Sequence, residues 1–283
     1  MLLVTLLWST AGVATRHLDS AQSFEVTFWR SFVTFVALAA YYAAVHGRDT
    51  PALLRAGGRP LWLSGLMWSV MFTCFMLALT LTSVANVLVT MSVGPLVTAL
   101  LARFMLGHRV PPRTWLAIAV AGIGIAWMYG TSISADPRHL LGSLVALGVP
   151  IAGAINWNIL QKRGASVDLV PALLVGALVS SAVTLPLAWP FQASAHDIGL
   201  LAMLGVFQLA IPCMMSVRLA RLLPAPEISL LALLEIVFGI AWAWLGADER
   251  PSADVLAGGT LVLATLALNE AWAMRRRPLT VGA

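Results

Sequence analysis

Apolar residues run along this chain in long blocks, separated by short polar breaks. A helix needs about 20 residues to cross the hydrocarbon core of a membrane at 1.5 Å of rise each. Ten blocks reach that length, and they predict ten spans, roughly 1–18, 24–46, 60–81, 83–106, 112–130, 140–162, 169–190, 197–221, 225–246 and 252–274. The links at Thr82 and Pro224 leave almost no loop, so the spans they join are antiparallel neighbours. Inside the fourth block the order Thr90-Met91-Ser92-Val93-Gly94-Pro95 interrupts the pattern. Proline lacks an N–H and its ring clashes with the carbonyl four residues back, so Pro95 is expected to free the carbonyl of Met91 and bend the span.

Composition fixes the class. Hydrophobic residues make up 60% of the 283 and charged residues 10%, against roughly 25% charged in a soluble domain. The chain reads as an all-α integral membrane protein. Its lysines and arginines fall between apolar blocks rather than in an aromatic-interleaved patch, which argues against nucleic acid and for orientation in a membrane. With the N-terminus inside, one face receives Arg48, Arg55, Arg59, Arg103, Arg109, Arg113, Lys162, Arg163, Arg218, Arg221, Arg275, Arg276 and Arg277, which is 13 of the 17. The other face receives Arg16, Arg138 and Arg250, and Arg30 lies within the second span. The asymmetry predicts cytoplasmic termini in a multi-pass protein of the inner (plasma) membrane. Cys74 and Cys213 sit inside apolar blocks and suggest neither a disulfide framework nor a metal site. The opening "MLLVTLLWSTAGVATRHL" has no clear basic start or cleavage site, and reads as an uncleaved first span.

The chain also resembles itself. Shifted by 141 residues, "SVANVLVTMSVGPLVTALLARFMLGHRVPPRTW" from Ser83 falls on "PAPEISLLALLEIVFGIAWAWLGADERPSADVL" from Pro224: an apolar helix, a short polar turn, another apolar helix. Gly94 then falls on Glu235 and Arg109 on Arg250, while Gly65 meets Gly205 at an offset of 140. "WSTAGVATRH" in span one has a looser echo in "AINWNILQKR" of span six. The division is 1–136 and 137–283, five spans each. Five is odd, so the second half enters the membrane upside-down relative to the first, an inverted repeat with its substrate site near the midplane between the halves.

The segments "LLWSTAGVATR" in span one, "FWRSF" in span two and "LTSVANVLVTMSVGPLVTALLARFMLGHRVPPRTWLAIAVAGIGIAWM" across spans four and five resemble the ten-span EamA type of the drug/metabolite transporter superfamily, and the likeness covers nearly the whole chain. That family commonly carries a mid-helix proline in span four, here Pro95, and a Gly-Glu turn before span five, here Gly107-His108; the first half has lost the acid, and the second half keeps one at Glu249. The resemblance implies transport of small metabolites, with exporters of aromatic and other neutral amino acids among the members.

Candidate substrate residues follow from chemistry at membrane depth. Unpaired backbone there is tolerated only where protein or a watery cavity satisfies it, so Gly94 and Pro95, with Asn86, Thr90 and Ser92 on the same helix, mark either a cavity-facing bend or a packing kink repaired by Ser92. Glu235 lies near the centre of span nine, where an ionised carboxylate costs at least about 2.5–3.5 kcal/mol on insertion scales. It is a substrate-amine contact, a proton-coupling group or a neutral structural acid. Arg30 snorkels, pairs with Glu235 or holds an anionic substrate group. Asn156, Trp157 and Asn158 in span six put at least one amide inward, and Trp157 either stacks on a ligand or anchors at the interface. Trp68, Met71, Phe72 and Phe75 share a broad face of span three, as core or as the wall of an apolar chamber. Trp8 and Ser9 in span one and Gln208 and Pro212 in span eight complete the set; Pro212, like Gly94 and Pro95, is a candidate bend. Small residues in span five (Ala117, Ala121, Gly122, Gly124, Ala126) and span ten (Gly258, Gly259, Ala264, Ala267) suit close helix contact, as peripheral braces or a dimer surface.

No H-E-x-x-H, G-x-S-x-G or phosphate-cradling loop occurs, and the five histidines lie near span ends without metal spacing. An enzyme, a channel and an ATP-driven pump are therefore disfavoured, and no cofactor or metal is expected. The expected function is facilitated export of small metabolites, most of all amino acids, by alternating access through a central cavity. Proton-coupled antiport of other metabolites or drugs is the alternative. The expected partners are a small-molecule substrate and the lipid bilayer, with the chain a monomer or homodimer.

Overall fold

The computed structural model describes residues 1–106, 112–130, 137–163, 167–220 and 225–275, and these form helices joined by short links, with no strand among them. The ten blocks become ten membrane-crossing segments. Spans two (Ser23–His46), three (Gly58–Leu81), five (Pro112–Gly130), seven (Ala172–Ala188), nine (Ala225–Ala247) and ten (Ala253–Arg275) are single helices. Spans two and three have 24 residues each, about 36 Å at 1.5 Å per residue, enough to cross with some tilt. Between them the link folds into a 3-10 turn, Gly47–Asp49, and a short helix, Thr50–Ala56. That helix was not expected; it leaves Arg48 and Arg55 exposed. The turn at Gly107-His108, and Arg109, Arg221, Pro224, Arg276 and Arg277, lie outside the described residues.

The remaining spans are interrupted. Span one is split into Leu2–Trp8 and Thr10–Thr15, span four into Val84–Met91 and Gly94–Leu106, and span six into Pro137–Ala146 and Gly148–Arg163. Span eight runs from Ala195 to Leu219 but passes through a π-helical stretch, Leu204–Ala210. In spans four and six a proline, Pro95 or Pro150, sits in the first turn of the second piece, where its missing N–H would have had no helical partner.

Near these breaks the hydroxyls bond to their own helices. Ser9 Oγ donates to Leu6 O (2.7 Å), Thr90 Oγ1 to Asn86 O (2.7 Å) and Ser92 Oγ to Val89 O (2.6 Å). All three side chains are buried. The bend in span four thus falls at Ser92-Val93, and the Ser92 N–H reaches the carbonyls of Leu88 and Val89, each at 3.1 Å. Gly94 makes no unusually close approach: a Cβ there would stand 3.8 Å from Pro150, an ordinary contact.

The ten segments pair across the halves in a matched way. Span three packs on span seven and span eight on span two; span four packs on span six and span nine on span one. Spans five and ten pack on each other, with the backbone of Gly124 so close to span ten that a Cβ would lie 3.0 Å from Gly258 O. Their outward sides expose Trp115, Leu116, Ile123 and Trp127. Each partner in the first half has its counterpart in the second, the arrangement of a pseudo-twofold repeat of two five-helix units. Because each unit has an odd number of spans, the axis lies in the membrane plane and the units are inverted. Two glycines mark the tightest matched contacts. A Cβ on Gly65 would meet Val175 at 2.7 Å and Ala172 O at 3.2 Å; one on Gly205 would meet Arg30 O at 2.8 Å and Thr34 N at 3.2 Å.

Gly205→Ala is therefore expected to destabilise the protein by about 1–3 kcal/mol, because the obstacle is rigid backbone rather than a movable side chain. Gly199→Ala, also in span eight, meets nothing within 4 Å and serves as the neutral control. Thermal unfolding of the two variants in detergent, followed side by side, checks the difference.

Candidate substrate site

Arg30 is the eighth residue of span two, nearly two turns from its start. A guanidinium that close to the helix end has the reach to leave the membrane, yet Arg30 is fully buried. It turns toward the centre, where Nη1 donates to Gln208 Oε1 at 3.0 Å and Nη2 to Phe72 O at 2.7 Å. Its Cζ stands 5.8 Å from the centre of the Phe75 ring, within cation–π range. Gln208 belongs to the π-helical stretch of span eight, and its Nε2 reaches Trp8 O at 3.3 Å, just before the break in span one. Spans one, two, three and eight therefore meet at Arg30. The π-helical stretch shifts the register of span eight, and Pro212 begins the α-helical turn that follows it.

Around this meeting point the walls are apolar. Trp8, Trp68, Phe72, Met71, Trp157 and Cys213 belong to one packed cluster. Trp68 lies against Phe72 (centroids 5.5 Å apart) and edge-on to Trp157 (6.4 Å), so Trp157 faces the protein interior rather than an interface. Asn156 and Asn158 are both buried. Asn156 Oδ1 accepts from Ser64 Oγ at 2.6 Å, and Asn158 Nδ2 donates to Ala154 O at 2.8 Å and to Thr98 O at 3.4 Å, which ties span six to span four. Asn86, buried in span four, donates through Nδ2 to Thr82 Oγ1 at 3.1 Å.

Glu235 is half-buried in the middle of span nine, with no hydrogen bond or ion pair to it among the described residues. It does not pair with Arg30. Its helix meets span one a turn later, where a Cβ on Gly239 would stand 3.6 Å from Ser9 O, next to Trp8. The structure brings together Trp8, Arg30, Trp68, Phe72, Trp157 and Gln208, and places Glu235 on the neighbouring span nine. It places Ser9, Thr90 and Ser92 nearby with their hydroxyls already bonded to backbone.

A second polar assembly, not anticipated as a site, lies on the face opposite the N-terminus. Arg16, at the end of span one, donates through Nε to Glu249 Oε2 (2.7 Å), through Nη1 to Leu79 O (2.8 Å) and through Nη2 to Thr82 O (2.8 Å). Glu249 Oε1 accepts from Val84 N at 2.6 Å. His17 Nε2 contacts Gly246 O at 2.8 Å, and His139 Nδ1 contacts Thr82 Oγ1 at 3.1 Å. The ends of spans one, three, four, six and nine are thus tied at one place. Beside it, both carboxylate oxygens of Glu25 accept from Gln192 N, and Glu25 Oε1 accepts from Ala193 N as well. Asp197 accepts from the N–H groups of Asp19, Ser20, Ala21 and Ser194. Asp19, His196 and Asp197 place one ligand atom each within 4.8 Å of one another, but Asp197 has both oxygens engaged by these amides.

An all-helical, ten-span inverted repeat is an architecture of small-molecule transporters. Residues 1–130 and 140–270 each match the EamA-like transporter family. The chain belongs to that family. It is 26% identical over 254 residues to the pseudopaline exporter CntI of Pseudomonas aeruginosa (strain UCBPP-PA14), covering 87% of this chain and 86% of the exporter. It is also 26% identical over 201 residues to an S-adenosylmethionine uptake transporter of Rickettsia prowazekii (strain Madrid E), covering 70% of this chain and 66% of that protein. A solved crystal structure superposes with a TM-score of 0.67 at 18% identity, over 98% of this chain and 96% of that one. This last likeness speaks to the fold alone.

The Arg16–Glu249 pair is only partly exposed, 27% and 19% for the two side chains. Glu249→Gln removes the ion pair while leaving an acceptor for Val84 N, and it is expected to cost about 1–3 kcal/mol, as hydrogen bonds to charged groups do. The double variant Arg16→Glu with Glu249→Arg does not restore stability, because the arginine there would face the Val84 N–H and the glutamate would face the carbonyls of Leu79 and Thr82. Thermal unfolding of the single and double variants checks both statements.

Proposed function

We propose that this protein is an inner-membrane exporter of amino acids, aromatic or other neutral ones, which works by alternating access between its two inverted halves. The observation that carries the reading is the aromatic interior around Trp8, Trp68, Phe72 and Trp157, with Arg30 on one side and the unpaired Glu235 on span nine. Such a space suits a partly apolar solute with a small polar head. The 13-to-3 division of basic residues supports cytoplasmic termini. On that orientation the Arg16–Glu249 assembly lies at the outer face. It is the outer gate in its closed position, and the short half-helix Thr10–Thr15 links that gate to the break at Ser9 beside the site.

Export is supported by the pseudopaline exporter, which the chain matches over most of its length; the S-adenosylmethionine transporter is named for uptake, so direction is a separate question for experiment. Facilitated movement down the solute gradient needs no titrating group. Glu235, a carboxyl at mid-span with no partner among the described residues, favours proton-coupled antiport as the second reading.

Reconstitution into liposomes separates these readings. Vesicles loaded with an unlabelled neutral amino acid are expected to accumulate the labelled one from outside, protein-free vesicles are not, and an imposed pH gradient leaves the extent unchanged. Acceleration by the gradient would favour antiport, and absence of counterflow across a panel of amino acids would overturn the amino-acid reading. In the same assay Glu249→Gln is expected to raise or lower the exchange rate about fivefold or more, since about 1 kcal/mol shifts a two-state gate by that factor.

A further inference from the structure

The interior holds charge that the protein does not neutralise. Arg16 pairs with Glu249, and His196 lies against Asp19 and Asp197, all at the face opposite the N-terminus. Arg30, with no exposed surface, has no carboxylate against it. Two of its nitrogens donate to neutral oxygens, those of Gln208 and Phe72, and the third, Nε, has no partner. A guanidinium carries five N–H donors in a plane and matches a carboxylate in a two-point arrangement, so two neutral acceptors leave it underused. Nearby donors are underused as well. Trp68 Nε1 and Asn156 Nδ2 are buried without acceptors. Trp68 packs against Phe72, whose carbonyl holds Arg30, and Asn156 bonds to Ser64, one turn before Trp68 on span three. On spans two, three and six these three unspent donors stand against one unspent acceptor, Asn158 Oδ1.

The one unpaired carboxylate described in the interior is Glu235, on the opposite half of the protein. It is half-buried where Arg30 is sealed, on a span that packs against span one, where a Cβ on Gly239, one turn after Glu235, would stand 3.6 Å from Ser9 O, next to Trp8. A buried cation and a half-buried carboxyl, left unjoined in the same interior, suit a ligand that carries both charges itself.

We propose that Arg30 and Glu235 read the two ends of a zwitterionic solute, Arg30 taking its carboxylate and Glu235 its ammonium, while Trp8 and Trp68 border its apolar part. This rests on the transporter reading above and adds to it the residues that select for charge. Gln208 and Phe72 O are positioning groups: they hold the guanidinium plane so that its Nε edge stays free. Each charge contact is expected to discriminate about 10- to 100-fold between a probe that has the matching group and one that lacks it.

The test uses the full chain in proteoliposomes, with counterflow of labelled phenylalanine, or of another neutral amino acid that exchanges, as the readout. For phenylalanine the competitors are phenylalanine itself, phenylalaninamide, which lacks the carboxylate, and 3-phenylpropionate, which lacks the ammonium. In the unmodified protein both analogues are expected to compete about 10- to 100-fold more weakly than phenylalanine. In Arg30→Gln the gap between phenylalanine and phenylalaninamide closes while that to 3-phenylpropionate persists; in Glu235→Gln the pattern reverses. Arg30→Lys keeps the charge but not the two-point geometry and is expected to fall between. Should a variant fail to fold, the analogue ranking in the unmodified protein decides. Exchange with all three competitors equal, or variants that leave the ranking unchanged, overturns the charge assignment and leaves the transport reading standing. If no amino acid exchanges, the transport reading falls and the assignment falls with it.

Discussion

Backbone polar groups find no water in the hydrocarbon core, and each one left unpaired there costs several kcal/mol. That constraint decides where this chain is allowed to break. Spans one, four, six and eight depart from regular α-helix part-way along their length, and each packs on a partner from the other half. Spans five and ten, which expose Trp115, Leu116, Trp127 and Trp272 at the periphery, are unbroken. Short side chains carry part of the repair. Ser9, Thr10, Thr90 and Ser92 return their hydroxyls to carbonyls three or four residues back, so the breaks are already satisfied without a solute. What remains for a solute is the side-chain chemistry between the breaks.

The same constraint sorts the carboxylates. Glu25 and Asp197 have no exposed surface, and Glu249 little, yet each accepts from main-chain N–H groups where a helix begins or a loop turns. Such donors are oriented and abundant at helix starts, so these acids serve as fasteners between loops remote in sequence. Glu235 sits in the middle of a helix, where every N–H is taken by the helix itself, and no fastener of that kind is available to it. Position within the helix, more than burial, separates an acid that holds the fold from an acid that waits for a partner.

Much of this was legible in the sequence because hydropathy reports directly on the solvent a residue meets. The ten blocks correspond to the observed spans within a few residues, and the Gly-Pro pair marked the interruption of span four. The details that escaped are those in which one partner is main chain. Nothing in the residue pattern says that Arg16 reaches the carbonyls of Leu79 and Thr82, since a carbonyl has no sequence signature. The available signal was a charge retained at a face nearly free of basic residues, together with the acid kept at Glu249. The π-helical turn around Gln208 was equally silent, with Pro212 and the midspan amide as its only marks. Thr90 and Ser92 suggested chamber lining by residue type, but side-chain direction is set by rotamer and local bonding, which composition does not encode.

The pseudo-twofold relation sharpens the meaning of the two unpaired charges. Gly205 approaches Arg30 O as Gly65 approaches Ala172 O, so Arg30 and Ala172 occupy matched places in the two halves. The offset of 141 likewise matches Glu235 to Gly94. At each place one half carries a charge and the other a residue with no polar side chain. Two halves related by symmetry would offer a solute the same groups from both sides, which suits a ligand with like ends. Here the first half contributes only the guanidinium and the second only the carboxyl. A core that has kept matched helices, matched glycines and matched crossings, but broken the match at these two residues, fits the proposed zwitterionic solute, whose two ends differ.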